Sequence, residues 1–147
     1  MNDRDMKRLF VIIVIGLLTV VTANAQSGLS VNQVFEGQVV PKNQMVETRV
    51  KGKMLSKYQL TYFRSVRFAV SDEKAQQVRQ LVDSDCREAA DDSWQQTAHG
   101  KTTIMMQLSP AGSQNRFLCF KQKKNEVTLI YMEGRLASLE KLKEILN

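Results

Sequence analysis

The sequence predicts an α+β domain, a mostly antiparallel sheet of about five strands with two helices packed on one face. Three observations predict it. A β-rich run without Gly or Pro spans residues 58–70. The apolar period then changes from two to three-and-four at Ser71. Three further β-rich runs follow, joined by hairpin-length linkers.

The elements follow in order. Residues 1–25 read as a secretory signal peptide. Lys7 and Arg8 precede an apolar run over 9–21, and Ala23-Asn24-Ala25 places small residues before the expected cut. The run is short for a bilayer span, no Cys stands at the cut for lipidation, and no later apolar run approaches 18 residues. The expectation is export, with the periplasm first and the extracellular space second, and no stable membrane span after cleavage. Residues 26–30 read as a flexible start and 31–147 as one domain. Residues 31–35 form a short apolar piece of undecided type.

Residues 47–53 alternate and read as an exposed strand ending at Gly52. Residues 58–70 read as the main strand. Ser71 is a good N-cap, with Asp72 and Glu73 in the first turn. Ala75, Val78, Val82, Cys86 and Ala89 recur on one stripe, so a helix is predicted over 72–90, reaching towards Trp94. Gly100 closes that segment. Strands are predicted over 102–108, 115–121 and 126–133, and Gly134 ends the meander. Ser138 caps a short helix carrying Leu139, Leu142, Ile145 and Leu146, too short to persist without docking on the sheet.

The chain carries a formal net charge of +6, with 21 Lys and Arg against 15 Asp and Glu. Such a charge favours solubility and anionic surfaces. Aromatics do not interleave with the lysines as in a nucleic-acid groove, so no nucleic acid is expected. Arg49, Lys51, Lys53 and Lys57 concentrate basic charge along one exposed strand, as either an edge guard or a contact surface. Cys86 and Cys119 allow one intramolecular disulfide; two buried free thiols are the alternative.

No catalytic set, metal site or cofactor loop is predicted. Gly100-Lys101-Thr102-Thr103 resembles the end of a phosphate loop, but Gln95 stands where the first Gly is needed, and helix and strand come in the wrong order. His99 is the only histidine and has no zinc-like spacing around it. Asp83, Asp85, Asp91 and Asp92 read as a solvated acidic face. Arg64 is harder to place. It interrupts the row Tyr58, Leu60, Tyr62, Val66, Phe68 and Val70 on one face of the main strand. It needs a carboxylate, several carbonyls, or a β-bulge that turns it to solvent.

Blocks along the chain carry a resemblance: Val34-Phe35-Glu36-Gly37, the run over 45–53, 55–58, Phe63-Arg64-Ser65-Val66-Arg67-Phe68, Asn115-Arg116-Phe117-Leu118-Cys119 and Ile130-Tyr131-Met132-Glu133-Gly134. Together they resemble a family of small exported proteins of unknown function from Bacteroidetes-type bacteria. The resemblance implies a cell-envelope or exported location and assigns no activity, ligand or site.

The resulting expectation is a non-enzymatic envelope module without cofactor that binds a protein or glycan through Arg49, Lys51, Lys53 and Lys57. A self-associating structural or chaperone-like module, with a homodimer through a sheet edge, is the alternative. A small hydrolase or isomerase using Arg64 with a carboxylate such as Glu133 is the third reading.

Overall fold

The computed structural model describes residues 28–146. The expected leader lies outside the described residues. Strands β1 (Met45–Lys51), β2 (Leu60–Ala69), β3 (Ala90–Ala98), β4 (Lys101–Ala111), β5 (Gln114–Lys123) and β6 (Glu126–Gly134) form one sheet in the order β1-β2-β6-β5-β4-β3. Every neighbouring pair is antiparallel. The helices are α1 (Asn32–Phe35), α2 (Asp72–Ala89) and α3 (Leu139–Leu146), with 3-10 turns at Lys42–Gln44 and Lys53–Tyr58.

The order places α2 between β2, next to the β1 edge of the sheet, and β3 at the opposite edge. An 18-residue helix is about 27 Å long. That length is enough to cross the roughly 19 Å from β2 to β3 at ordinary strand spacing. The meander β3-β4-β5-β6 then returns to pair with β2. Ser71 caps α2 by accepting from the Lys74 amide at 3.3 Å, and Ser138 caps α3 by accepting from the Lys141 amide at 3.2 Å, as the sequence predicts.

Two expectations are corrected. First, the sheet has six strands, because the helix stops at Ala89 and Ala90–Ala98 continues directly as β3. Asp91 and Asp92 are poor helix formers and would meet the negative end of the helix dipole. Trp94 and Ala98 are partly buried, while Ser93, Gln95, Gln96 and Thr97 are exposed.

Second, the helices lie on opposite faces. In β5, Phe117, Leu118, Cys119 and Phe120 are all buried in succession, which requires cover on both sides of the sheet. Val66, Ile104, Met106, Leu118, Phe120, Leu129 and Tyr131 pack on one face with Ala75, Val78 and Val82 of α2 and with Leu29, Val31, Val34 and Phe35. Phe63, Met105, Phe117, Cys119, Ile130 and Met132 pack on the other with Leu139 and Leu142 of α3 and with Leu55. Each face buries its own apolar layer, so neither helix is dispensable to the hydrophobic driving force.

Of the expected flexible start over 26–30, residues 26 and 27 lie outside the described residues. Leu29 is buried, and the Ser30 amide donates to Asp85. Gly134 is required where β6 meets the bulge of β2. A Cβ there would collide with the Gln59 carbonyl and the Leu60 backbone.

Candidate functional site

Arg64 sits in the middle of β2, opposite Arg49 of β1 and Tyr131 of β6. It is 4% exposed, and its donors are engaged. Nε donates to Glu47 Oε1 at 2.9 Å, Nη1 to Glu36 Oε1 at 3.4 Å and Nη2 to the Phe35 carbonyl at 3.1 Å. The guanidinium also lies 5.0 Å from the centre of the Phe35 ring. The bulge of β2 falls between Leu60 and Tyr62, not at Arg64. Of the alternatives open in the sequence, the arrangement is thus the buried ion pair. Glu133 is not its partner; it accepts from the Tyr131 hydroxyl at 2.6 Å.

Glu47 also accepts from Arg49 Nε at 2.7 Å. Burial raises the Glu47 carboxyl pKa, but the Arg49 hydrogen bond and the charges of Arg64 and Arg49 outweigh it. The net result lies below the ordinary 4.5. A lowered folded value means the unfolded chain binds more protons there as pH falls. The stabilisation is therefore complete above about 4.5 and lost as pH drops through the lower folded value. Glu47→Gln is expected to flatten the acid limb of a stability–pH profile below pH 4.5, measured by urea unfolding.

Asp85 departs from the solvated acidic face that the sequence suggests. It is 3% exposed. Its two carboxylate oxygens accept from the Ser30 amide at 2.7 Å and the Val31 amide at 3.0 Å, at the entry to α1. Asp83 pairs instead with Arg79 along α2, and Asp91 accepts from the Ser109 hydroxyl.

Lys51, Lys53 and Lys57 are exposed beside β1, and the Lys57 ammonium lies 4.8 Å from the centre of the Tyr58 ring. Arg49 is exposed but held by Glu47. The basic strand thus exists as an edge strand, with its central cation tied to a carboxylate.

A second basic surface lies at the opposite side of the sheet, on the α3 face. A groove of about 250 Å³ is lined by Trp94, Gln96 and Ala98 of β3, His99 of the turn, Lys101, Thr103 and Met105 of β4, Lys121 of β5 and Leu146 of α3. The register aligns these side chains: Ala98 faces Lys101, Gln96 faces Thr103, and Thr103 faces Lys121. No Asp or Glu lines the groove. Among the described residues, neither Lys101 nor Lys121 has a carboxylate within ion-pair distance. The Lys143 ammonium adds a third cation 4.7 Å from the centre of the Trp94 ring. The chemistry available is an aromatic surface, an amide and a hydroxyl that hydrogen-bond, and uncompensated positive charge.

The chain matches, over residues 18–146, a family of unknown function, DUF6108. It belongs to that family. The match agrees with the sequence resemblance to a family without assigned activity. None of the curated proteins matches this chain. In this DUF6108 chain the groove depends on β3, a strand that the sequence reading did not assign, having run the helix over 72–90 and towards Trp94. One signal could have found it. His99-Gly100 lies between Gln96-Thr97-Ala98 and Lys101-Thr102-Thr103, and both turn residues have positive φ, at 55° and 74°, as a two-residue hairpin turn requires.

Cys86 and Cys119 are both free. Cys86 packs against the α2 layer and Cys119 within the α3 layer, so the sheet separates the two thiols and the bridge is not formed. Burial pushes the Cys119 thiol up to about 11, which leaves it protonated and inert at neutral pH. Among the described residues, no group of three His, Cys, Asp or Glu is placed to hold a metal, and no helix is long and apolar enough to cross a membrane.

Proposed function

We propose that this chain is an exported, non-enzymatic binding module whose ligand is an acidic glycan, held in the groove between β3, β4, β5 and the end of α3. The supporting observation is the lining itself. Trp94 offers a ring face for a sugar. Gln96 and Thr103 offer hydrogen bonds to hydroxyls. Lys101 and Lys121 offer charge with no carboxylate of the described residues within ion-pair distance. A ligand carboxylate or sulfate placed between the two lysines exchanges water for two charge-assisted hydrogen bonds. Stacking on an indole contributes contact at little entropic cost.

Export rests on the leader-like residues 1–25, and an acidic glycan is the anionic polymer such a location makes accessible. The basic β1 strand, favoured by the sequence reading, has its central cation Arg49 tied to Glu47 and its Lys57 ammonium set over the Tyr58 ring. The Arg64 cluster supports a structural role, since its guanidinium is enclosed and saturated by Glu47, Glu36 and the Phe35 carbonyl.

The test is retention of the protein on immobilised uronate-rich or sulfated polysaccharide against a neutral one of equal length. The reading predicts retention on the acidic polymer alone, eluted by salt in proportion to the contacts made. Equal behaviour on both matrices would overturn it.

A further inference from the structure

We propose that β3 pairs antiparallel with β3 of a second copy, joining two sheets into one of twelve strands and bringing two grooves onto one face. The sheet has two edges, and they differ in kind. The β1 edge carries Arg49 and Lys51 and is flanked by the 3-10 turns Lys42–Gln44 and Lys53–Tyr58, the usual guards against strand addition. The β3 edge, Ala90–Ala98, has no Lys, Arg or Pro. Its charges, Asp91 and Asp92, its bulge, between Ala90 and Asp92, and the Ser93 amide held by Asp92 all lie in its first half, which leaves Trp94–Ala98 without such a guard.

The β3 sequence is also self-complementary. With the two-fold axis at Trp94, the regular stretch past the bulge places Ser93 opposite Gln95 and Asp92 opposite Gln96. No like charges oppose each other, and Trp94 faces its own copy, an aromatic cross-strand pair. A residue opposite itself keeps its face across the junction. Both copies therefore present Trp94, Gln96, Lys101 and Lys121 on the same side. The two-fold interface is closed, so it yields a dimer and not a filament. The consequence for ligand binding rests on the acidic-glycan reading: a polymer would engage both grooves at once, while a short oligosaccharide would engage one.

The experiment is sedimentation velocity on the protein produced from its full coding sequence, over a dilution series without ligand. Fluorescence is followed in parallel, because Trp94 is the only tryptophan. Wild type is expected to sediment as a dimer that dissociates on dilution, with a matching shift in Trp94 emission. The variant Ser93→Glu/Gln95→Glu places carboxylates opposite each other in the Trp94-centred register, on the face away from the groove. It is expected to be monomeric throughout, with thermal unfolding like that of wild type at dilutions where wild type is monomeric. A monomeric wild type at every concentration overturns the pairing, as does a variant that dimerises like wild type.

The ligand arm is separate. The monomeric variant should bind an acidic oligosaccharide as wild type does but lose at least about tenfold in affinity for the long polymer. If neither protein binds oligosaccharide while the dimer persists, the glycan reading fails and the pairing stands. If both bind polymer equally, the two-groove arrangement fails.

Discussion

Arg64→Met is expected to destabilise the fold by about 3 kcal/mol, without loss of groove binding in the fraction that remains folded. Arg64 is buried and ties β2 to two other pieces of chain: β1 through Glu47, and the end of α1 through the Phe35 carbonyl and Glu36. Met fills the volume but donates nothing, so the Phe35 carbonyl loses its hydrogen-bond donor. Glu47 keeps Arg49, and Glu36 is 43% exposed and can turn to water. Those two reliefs place the loss at the lower end of the range for a broken buried pair. For a domain of this size the loss corresponds to a fall in Tm of roughly 10 °C. Urea unfolding measures it directly. Removing both charges in Arg64→Met/Glu47→Leu is expected to cost less than the sum of the two single changes, because each single change leaves its partner uncompensated. A change under 0.5 kcal/mol for Arg64→Met would contradict the structural role.

Asp85→Ala is expected to cost a similar amount, about 3 kcal/mol, through a different mechanism. The substitution leaves the amides of Ser30 and Val31 buried beneath the N-terminal segment without an acceptor. Asp85→Asn retains one oxygen but turns an N–H donor towards the other amide, so it should fall between wild type and Ala. The loss should be local first, with faster hydrogen exchange over residues 29–37 before the sheet responds. Burial raises the Asp85 carboxyl above its ordinary 3.8, only partly offset by the bonds from Val31 and Ser30. Its sign is opposite to that of Glu47. With a raised folded value, the ionised form carries a cost that diminishes as pH falls through the folded value and is gone below 3.8, where both states are protonated. Asp85 therefore works against acid unfolding while Glu47 promotes it.

Much of the fold is legible in the local chemistry. Ser71 and Ser138 announce α2 and α3 because a hydroxyl before an amphipathic run satisfies orphan amides whatever the tertiary context. The runs that became β2, β4, β5 and β6 show in their β-branched and aromatic content. The edge strand β3 does not, since it buries little and Asp91-Asp92-Ser93 read equally well as a frayed helix end. The placement of α3 was concealed for a related reason. Phe117-Leu118-Cys119-Phe120 states that both faces are covered, but a short apolar run does not say by what.

Of the candidate site residues, Arg64 was singled out by the cost of burying it, with a carboxylate, several carbonyls or a bulge left open; it meets two carboxylates and one carbonyl. Glu36 and Glu47 were not identifiable, because one arrives by strand register and the other through the docking of α1. The groove at Trp94, Lys101 and Lys121 assembles from residues on three strands. It was legible only once β3 paired with β4.

The most direct test of the central claim is calorimetric titration of an acidic oligosaccharide into wild type, into Lys101→Ala/Lys121→Ala and into Lys51→Ala/Lys53→Ala/Lys57→Ala. The groove account predicts that the first variant loses at least tenfold in affinity, roughly 1.4 kcal/mol, while the second binds as wild type. Loss confined to the second variant would place the ligand on the β1 edge and contradict the groove.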